Sequence, residues 1–275
     1  MNVIAMDIGN TNITIGLFLN DREEFVKTIP GGAKGKLTNI LTAAWHKVPL
    51  VKGAKVKKAD GVIIISSVKP AWTKLVRDIC KEKLDEKIKL IGKDIPLPIE
   101  MGVDNASEVG TDRVVSAAAA FAVVEDTVIV ADFGTAVTID LVDEQGVFMG
   151  GVICPGFDLA AQALETGTAR LPKIKVQKPK GSYGTNTIEA INAGLYYSAV
   201  GLLETITRKY AEEIGKWPQT IATGAAAEII KKDCDFVDSW VPNLVVKGIV
   251  LAYKKHLDDQ ARLAEIEEKT KKNKS

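Results

Sequence analysis

Two short stretches, Asp7-Ile8-Gly9-Asn10-Thr11 and Asp132-Phe133-Gly134-Thr135-Ala136, repeat one pattern in the two halves of the chain. Each follows an apolar run, Val3 to Met6 or Val128 to Ala131, and precedes another, Ile13 to Leu19 or Val137 to Val142, so each reads as a β-hairpin. A Gly at the third position lets the backbone approach a ligand closely. The residues after it offer hydroxyl, amide and bare N–H donors to an anion. The Asp ends a buried strand, where a charge is costly without a partner, and it stands where a hydrated Mg²⁺ or another cation would bridge to that anion. One Asp-x-Gly alone is an ordinary turn signal. Its duplication, in the same position relative to two pairs of apolar runs, points to a clamp made of two facing turns.

A chain of 275 residues is long enough for two domains with cores of their own, and 46% hydrophobic with 26% charged residues is a globular composition. The net charge of +1 provides no global field toward nucleic acid or membrane, so an anionic ligand must be held locally. Cys80, Cys154 and Cys234 are scattered and odd in number, which argues against a disulfide framework and for a reducing compartment. With His46 and His256 the only histidines and no Cys-x-x-Cys, a zinc site is not expected. No charged and apolar leader opens the sequence, and no apolar run reaches the ~18 residues of a membrane span; a cytoplasmic protein is expected.

Gly31-Gly32-Ala33-Lys34-Gly35-Lys36 resembles a phosphate loop but fails the pattern, because Pro30 holds the leading Gly position and Leu37 follows the lysine; a flexible connector is expected. Leu37, Ile40, Leu41, Ala44 and Trp45 follow at helical spacing, with His46 at the surface, and the Lys-rich stretch 52–58 reads as a solvated loop. Val62 to Ile65 reads as a strand covered on both faces. Pro70 opens a helix whose stripe is Trp72, Leu75, Val76, Ile79 and Cys80. Asp112 to Val124 reads as an Ala-rich helix, and a domain boundary is expected near its start, giving domains over 1–115 and 116–258. Strand runs are expected at Val147 to Met149 and Gly151 to Cys154, a long helix from Thr187 to Tyr210 broken by Trp217 and Pro218, and a strand at Thr220 to Ala222. Residues 259–275 are charged and read as a frayed helix or disordered tail. A repeated hairpin with repeated αβ units predicts an α/β fold of two duplicated domains with a cleft between them.

With these segments placed, the chain resembles the type III pantothenate kinases, of the acetate/sugar kinase, Hsc70 and actin superfamily. The resemblance runs through Asp7-Ile8-Gly9-Asn10-Thr11-Asn12, Ser66-Ser67-Val68, Val109-Gly110-Thr111-Asp112-Arg113, Asp132 to Asp140, Gly150 to Gly156, Thr168 to Pro172 and Gly184-Thr185-Asn186-Thr187. The Gly-Thr-Asp-Arg before the second hairpin makes it specific. The resemblance implies two ribonuclease H-like, actin-like ATPase domains with a nucleotide cleft. It implies ATP and pantothenate as substrates, Mg²⁺ and a monovalent cation (K⁺ or NH₄⁺) as cofactors, and a homodimer. It assigns ATP phosphates to Asp7, Ile8, Gly9, Asn10, Thr11, Asn12, Ile13 and Thr14, with Thr135 also on ATP. Mg²⁺ would be held through water by Asp7, and K⁺ by Asp132. Pantothenate would meet Gly110, Thr111, Asp112, Arg113 and Thr187, with Asp112 as the base.

The chemistry is consistent with the residues themselves: phosphoryl transfer needs positioning, neutralised charge and a carboxylate to take the hydroxyl proton, while an adjacent guanidinium holds substrate oxygens. Asp112-Arg113 also fits a helix cap followed by a surface Arg. Three positions depart from the family pattern: Val103 in place of an aromatic, Ala106 in place of Pro, and Ala225 in place of the second Gly of Thr-Gly-Gly. The competing readings are a superfamily enzyme with another acceptor, such as a sugar kinase or a polyphosphate-cleaving phosphatase, and an actin-like nucleotide switch without kinase activity.

Overall fold

A computed structural model describes residues 1–51, 53 and 58–272; most of the loop expected over 52–58 and the tail residues 273–275 fall outside them. The chain divides into two compact units, one of Met1–Ile99, Ser107–Ala119 and Val245–Ser275, the other of Glu100–Ala106 and Ala120–Leu244. It opens with β1 (Val3–Ile8), β2 (Asn12–Leu19), β3 (Arg22–Pro30), α1 (Lys34–Trp45), β4 (Val62–Ser67), α2 (Pro70–Ile79) and β5 (Ile88–Leu90). Then come β6 (Glu100–Met101), α3 (Thr111–Val124), β7 (Val128–Phe133), β8 (Ala136–Val142), β9 (Val147–Pro155) and α4 (Phe157–Gly167). The remainder is α5 (Thr187–Ile214), β10 (Gln219–Thr223), α6 (Ala227–Ile230), β11 (Ser239–Trp240) and α7 (Leu244–Lys272).

The first unit is built on a sheet of order β3-β2-β1-β4-β5, antiparallel through β1, β2 and β3 and parallel from β1 through β4 to β5. Successive side chains of a strand leave opposite faces. Ile4, Met6 and Ile8 of β1 pack with Leu37 and Leu41 of α1 and Val76 of α2, whereas Val3 and Ala5 pack with Val115 of α3 and Val246 and Ile249 of α7. Coverage on both faces is why β1 and β4 read as unbroken apolar runs.

The second unit has the order β11-β10-β7-β8-β9-β6, with β7, β8 and β9 antiparallel and β10 parallel to β7. Apart from the short β6, strand order and direction repeat those of the first unit. Even the irregularities coincide: the register shifts at Leu17/Phe18 in β2 and at Leu141/Val142 in β8, where Phe18 faces Val3 and Val142 faces Val128, each the first residue of its unit's leading strand. A bulge kept at one place in both copies marks two versions of one ribonuclease H-like α/β unit. Its core joins Ala131, Phe133 and Ile139 to a stripe of α5, Tyr196, Ala199 and Leu203, at helical spacing.

Several expectations are corrected. Neither unit is a continuous stretch, so boundaries at 1–115 and 116–258 do not describe them: α7 belongs to the first unit because its apolar stripe, Val246, Ile249 and Ala252, packs under β1 and β4. The tail continues α7 as helix to Lys272, exposed throughout 259–270. Lys34 already starts α1, leaving only Gly31 to Ala33 as connector. The two runs near 147–154 are one strand that passes through Gly150 at φ +98°. Helix α5 stops before Trp217, at Gly215, whose φ of +76° forms a left-handed cap with its N–H donating to the Ala211 carbonyl.

Candidate active site

The face of β1 that carries Val3 and Ala5 also carries Asp7. Asp7 stands opposite Thr14 on β2 and Ser66 on β4. In the second unit, Asp132 stands opposite Thr138 on β8 and Thr223 on β10. Directly opposed residues share a face, so each aspartate is flanked by two hydroxyl-bearing side chains. In the first turn the Gly9 N–H donates to the Asn12 carbonyl at 3.1 Å, and Asn10, Thr11 and Asn12 are exposed. The Thr14 hydroxyl lies 3.1 Å from that of Thr28. Ile8 and Ile13, expected among the ATP contacts, are fully buried core side chains, so only their backbone is left to face a ligand.

The start of α3 reaches this end of the first sheet. The Thr111 hydroxyl is 2.8 Å from that of Ser66, and the Val68 N–H, just past β4, donates to the Ile8 carbonyl at 3.1 Å. The Gly110 carbonyl accepts the N–H groups of Arg113 and Val114 at 3.1 and 3.4 Å, which makes Gly110 the cap position and places Asp112 in the first helical turn. Asp112 Oδ1 in turn accepts the Arg113 N–H at 3.0 Å. Burial pushes the Asp112 carboxyl above its ordinary 3.8; its bonds to the amides of Arg113 and of Asp112 itself, and the Arg113 charge, pull the other way without cancelling it. A carboxylate made more basic by burial is suited to accept a proton. The first unit thus brings Asp7 to Thr14 together with Gly110 to Arg113.

In the second unit the turn is braced by two glycines. Gly156 donates its N–H to the Thr135 carbonyl at 2.9 Å, and a β-carbon there would come within 2.3 Å of the Gly134 oxygen. Gly224, at φ +97°, packs so closely that a β-carbon would lie 2.4 Å from Asp132 Oδ1 and 2.5 Å from the Phe133 nitrogen. Ala225 is exposed and outside the left-handed region, so its methyl group strains nothing in the backbone. Thr135 is exposed. Thr187, also exposed, is the first residue of α5, behind Asn186, whose side chain accepts the Glu189 N–H at 3.0 Å. Glu189 returns bonds to the Thr185 N–H at 3.0 Å and hydroxyl at 2.9 Å, a reciprocal cap that fixes where Thr187 stands. Val103 rests against Gly150, and Ala106 opens a single 3₁₀ turn, Ala106–Glu108.

Burial pushes Cys80 to about 12 and Cys234 to about 11, which keeps both thiols protonated. Among the described residues no three His, Cys, Asp or Glu side chains converge to hold a metal, and no helix is long and apolar enough to cross a membrane. The carboxylate at each turn fits a cation that draws its other ligands from water and a phosphate chain.

The sequence pattern of the type III pantothenate kinases matches residues 3–209. The chain belongs to this family. A type III pantothenate kinase of Brevibacillus brevis is 34% identical over 92% of this chain and 99% of its own length. Another, of Agathobacter rectalis, is 33% identical over 92% and 97%. Among solved structures, a Campylobacter jejuni protein assigned to the Baf family of transcriptional activators superposes with a TM-score of 0.59, at 16% identity, over 93% of this chain and 99% of its own, a likeness of fold. Of the three departures from the family pattern, Ala225 directly follows the Gly224 that packs against Asp132, and Val103 and Ala106 precede Asp112 in sequence. One neighbour of the first turn escapes the family motif: Lys69, whose ammonium reaches the Asn10 carbonyl at 2.9 Å. Its signal in the sequence is a basic residue just beyond the strand that pairs with β1, directly before a helix-opening proline.

Proposed function

We propose that this protein transfers the γ-phosphoryl group of ATP to the primary hydroxyl of pantothenate, giving 4′-phosphopantothenate and ADP, the first step of coenzyme A biosynthesis. The observation that carries this reading is Asp112: a partly buried, basic carboxylate at the start of α3, which Thr111 ties through Ser66 to the strand beside the Asp7 turn. Asp112 orients the hydroxyl and takes its proton as the oxygen attacks the γ-phosphorus and the bond to the β–γ bridging oxygen breaks. Arg113 holds the substrate's oxygens, and Gly110 and Thr111 line its path. The turn amides at Gly9 to Asn12 hold the nucleotide.

Asp7 would hold Mg²⁺ through water and Asp132 a monovalent cation, K⁺ or NH₄⁺. When bound, these ions neutralise phosphate charge. The protein acts as a homodimer in the cytoplasm, without nucleic-acid or membrane partners. In support of self-association, Met149 and Ile153 of β9, Leu159 of α4 and Tyr197 of α5 leave large apolar side chains exposed. The test is ADP release and product mass with pantothenate and MgATP, with and without K⁺, beside a screen of sugars and polyphosphate. Turnover of another acceptor, with none of pantothenate, would overturn the reading.

A further inference from the structure

We infer that Lys69 is a positioning residue for the nucleotide's phosphate chain, acting through the first turn; this rests on the assignment of that turn to ATP. Lys69 follows β4, the parallel neighbour of β1, and Ser67 stands level with Ile8, so the chain leaving β4 runs alongside the turn leaving β1. The Lys69 ammonium donates to the Asn10 carbonyl at 2.9 Å and lies 3.8 Å from the centroid of the Trp72 ring. That ring covers Gly31 so closely that a β-carbon there would be 1.7 Å from it, and the Gly31 N–H donates to the Thr11 carbonyl at 3.0 Å.

Two successive carbonyls of the turn are therefore held by one assembly, Lys69 and Gly31 joined through Trp72. In a trans peptide the N–H points opposite the preceding carbonyl. Anchoring the Asn10 and Thr11 carbonyls therefore turns the Thr11 and Asn12 amides the other way, in the orientation an anion needs. Lys69 also places an ammonium group at a turn whose own side chains supply no positive charge. A neutral side chain of similar reach could brace the carbonyl; only a cation also draws a polyanion.

The experiment compares wild type, Lys69→Gln and Lys69→Arg in three readouts: equilibrium binding of the fluorescent analogue mant-ATP without acceptor, KM for ATP and for pantothenate, and melting temperature. Gln keeps a donor and loses the charge. It should weaken mant-ATP binding and raise KM for ATP about tenfold, the scale of one charge-assisted bond, while KM for pantothenate and the melting temperature stay near wild type. Arg should recover most of the loss. Wild-type mant-ATP binding in Lys69→Gln, or equal losses for both substrates together with a lower melting temperature, would overturn the inference. If wild type binds mant-ATP in a Lys69-dependent way but leaves pantothenate untouched, the acceptor assignment fails and the role of Lys69 stands. A wild type that does not bind mant-ATP overturns both.

Discussion

The Asp112 carboxylate lies over Gly110 so closely that a β-carbon on Gly110 would come within 2.4 Å of Oδ1. Two residues apart, one carries the proposed base and the other leaves the empty space that its carboxylate occupies. Asp112→Asn keeps that shape and loses the base, so kcat should fall by roughly 10²-fold or more with the protein still folded. Steady-state kinetics beside a melting curve check this; near-normal kcat would move the base elsewhere.

The same carboxyl predicts opposite pH trends for rate and stability. Its folded value is raised, so between the ordinary 3.8 and that raised value the native state holds the proton more tightly, and this group's contribution to stability declines as pH rises through the interval. With Asp112 as the proposed base, turnover should need the ionised form and decline as pH falls through the raised value. Asp112→Asn should lose this acidic limb in any residual rate and melt no lower than wild type at neutral pH. A melting temperature several degrees lower would show that the charge stabilises the fold.

Gly224→Ala should damage the second turn. The position is left-handed and the added carbon meets Asp132 and Phe133, so a cost of roughly 1–3 kcal/mol is expected, with weaker ATP use. Ala225→Gly, one residue on, should leave stability nearly unchanged. Chemical denaturation of the pair, with KM for ATP, separates the two positions.

Asp132→Asn should weaken activation by K⁺ and use of ATP together, because a carboxylate at this strand end repels phosphate oxygens unless a cation lies between them. The measurement is initial rate against K⁺ concentration in tetramethylammonium buffer. Equal wild-type rates with and without K⁺ would refute the assignment.

Removing residues 259–275 should change activity and melting temperature little, since 259–270 bury nothing, whereas Ile249→Ala in the same helix should cost about 2–5 kcal/mol as a fully buried core deletion. Denaturation midpoints of the two variants test the contrast.

The sequence announced the elements whose physics is local. Val3 to Met6 and Val128 to Ala131 are apolar without interruption because both faces of β1 and β7 are buried, and the Asp-x-Gly turns that follow are marked by residues few other conformations need. Gly110 to Arg113 was legible as a motif, but the raised basicity of Asp112 arises from burial that only the fold supplies. The allegiance of α7 was hidden, because Val246, Ile249 and Ala252 make an apolar stripe that does not say which sheet it covers. Gly215 was overlooked beside the louder Trp217-Pro218. The position of Lys69 before Pro70 is visible in the sequence, but its contact is not, since the Asn10 carbonyl is far away along the chain.

The place of α7 also sets an order of events at the ribosome. β1 and β4 emerge early and Val115 of α3 follows mid-chain, yet the face bearing Val3, Ala5 and Ile64 gains the rest of its cover, Val246, Ile249 and Ala252, only when nearly the whole chain has been made. At about 5–20 residues per second, that leaves an apolar sheet face only partly covered for many seconds of synthesis. The second unit, nearly continuous in sequence, has no such wait. A nascent chain stalled before Leu244 is therefore the form of this protein most exposed to chaperone capture or aggregation.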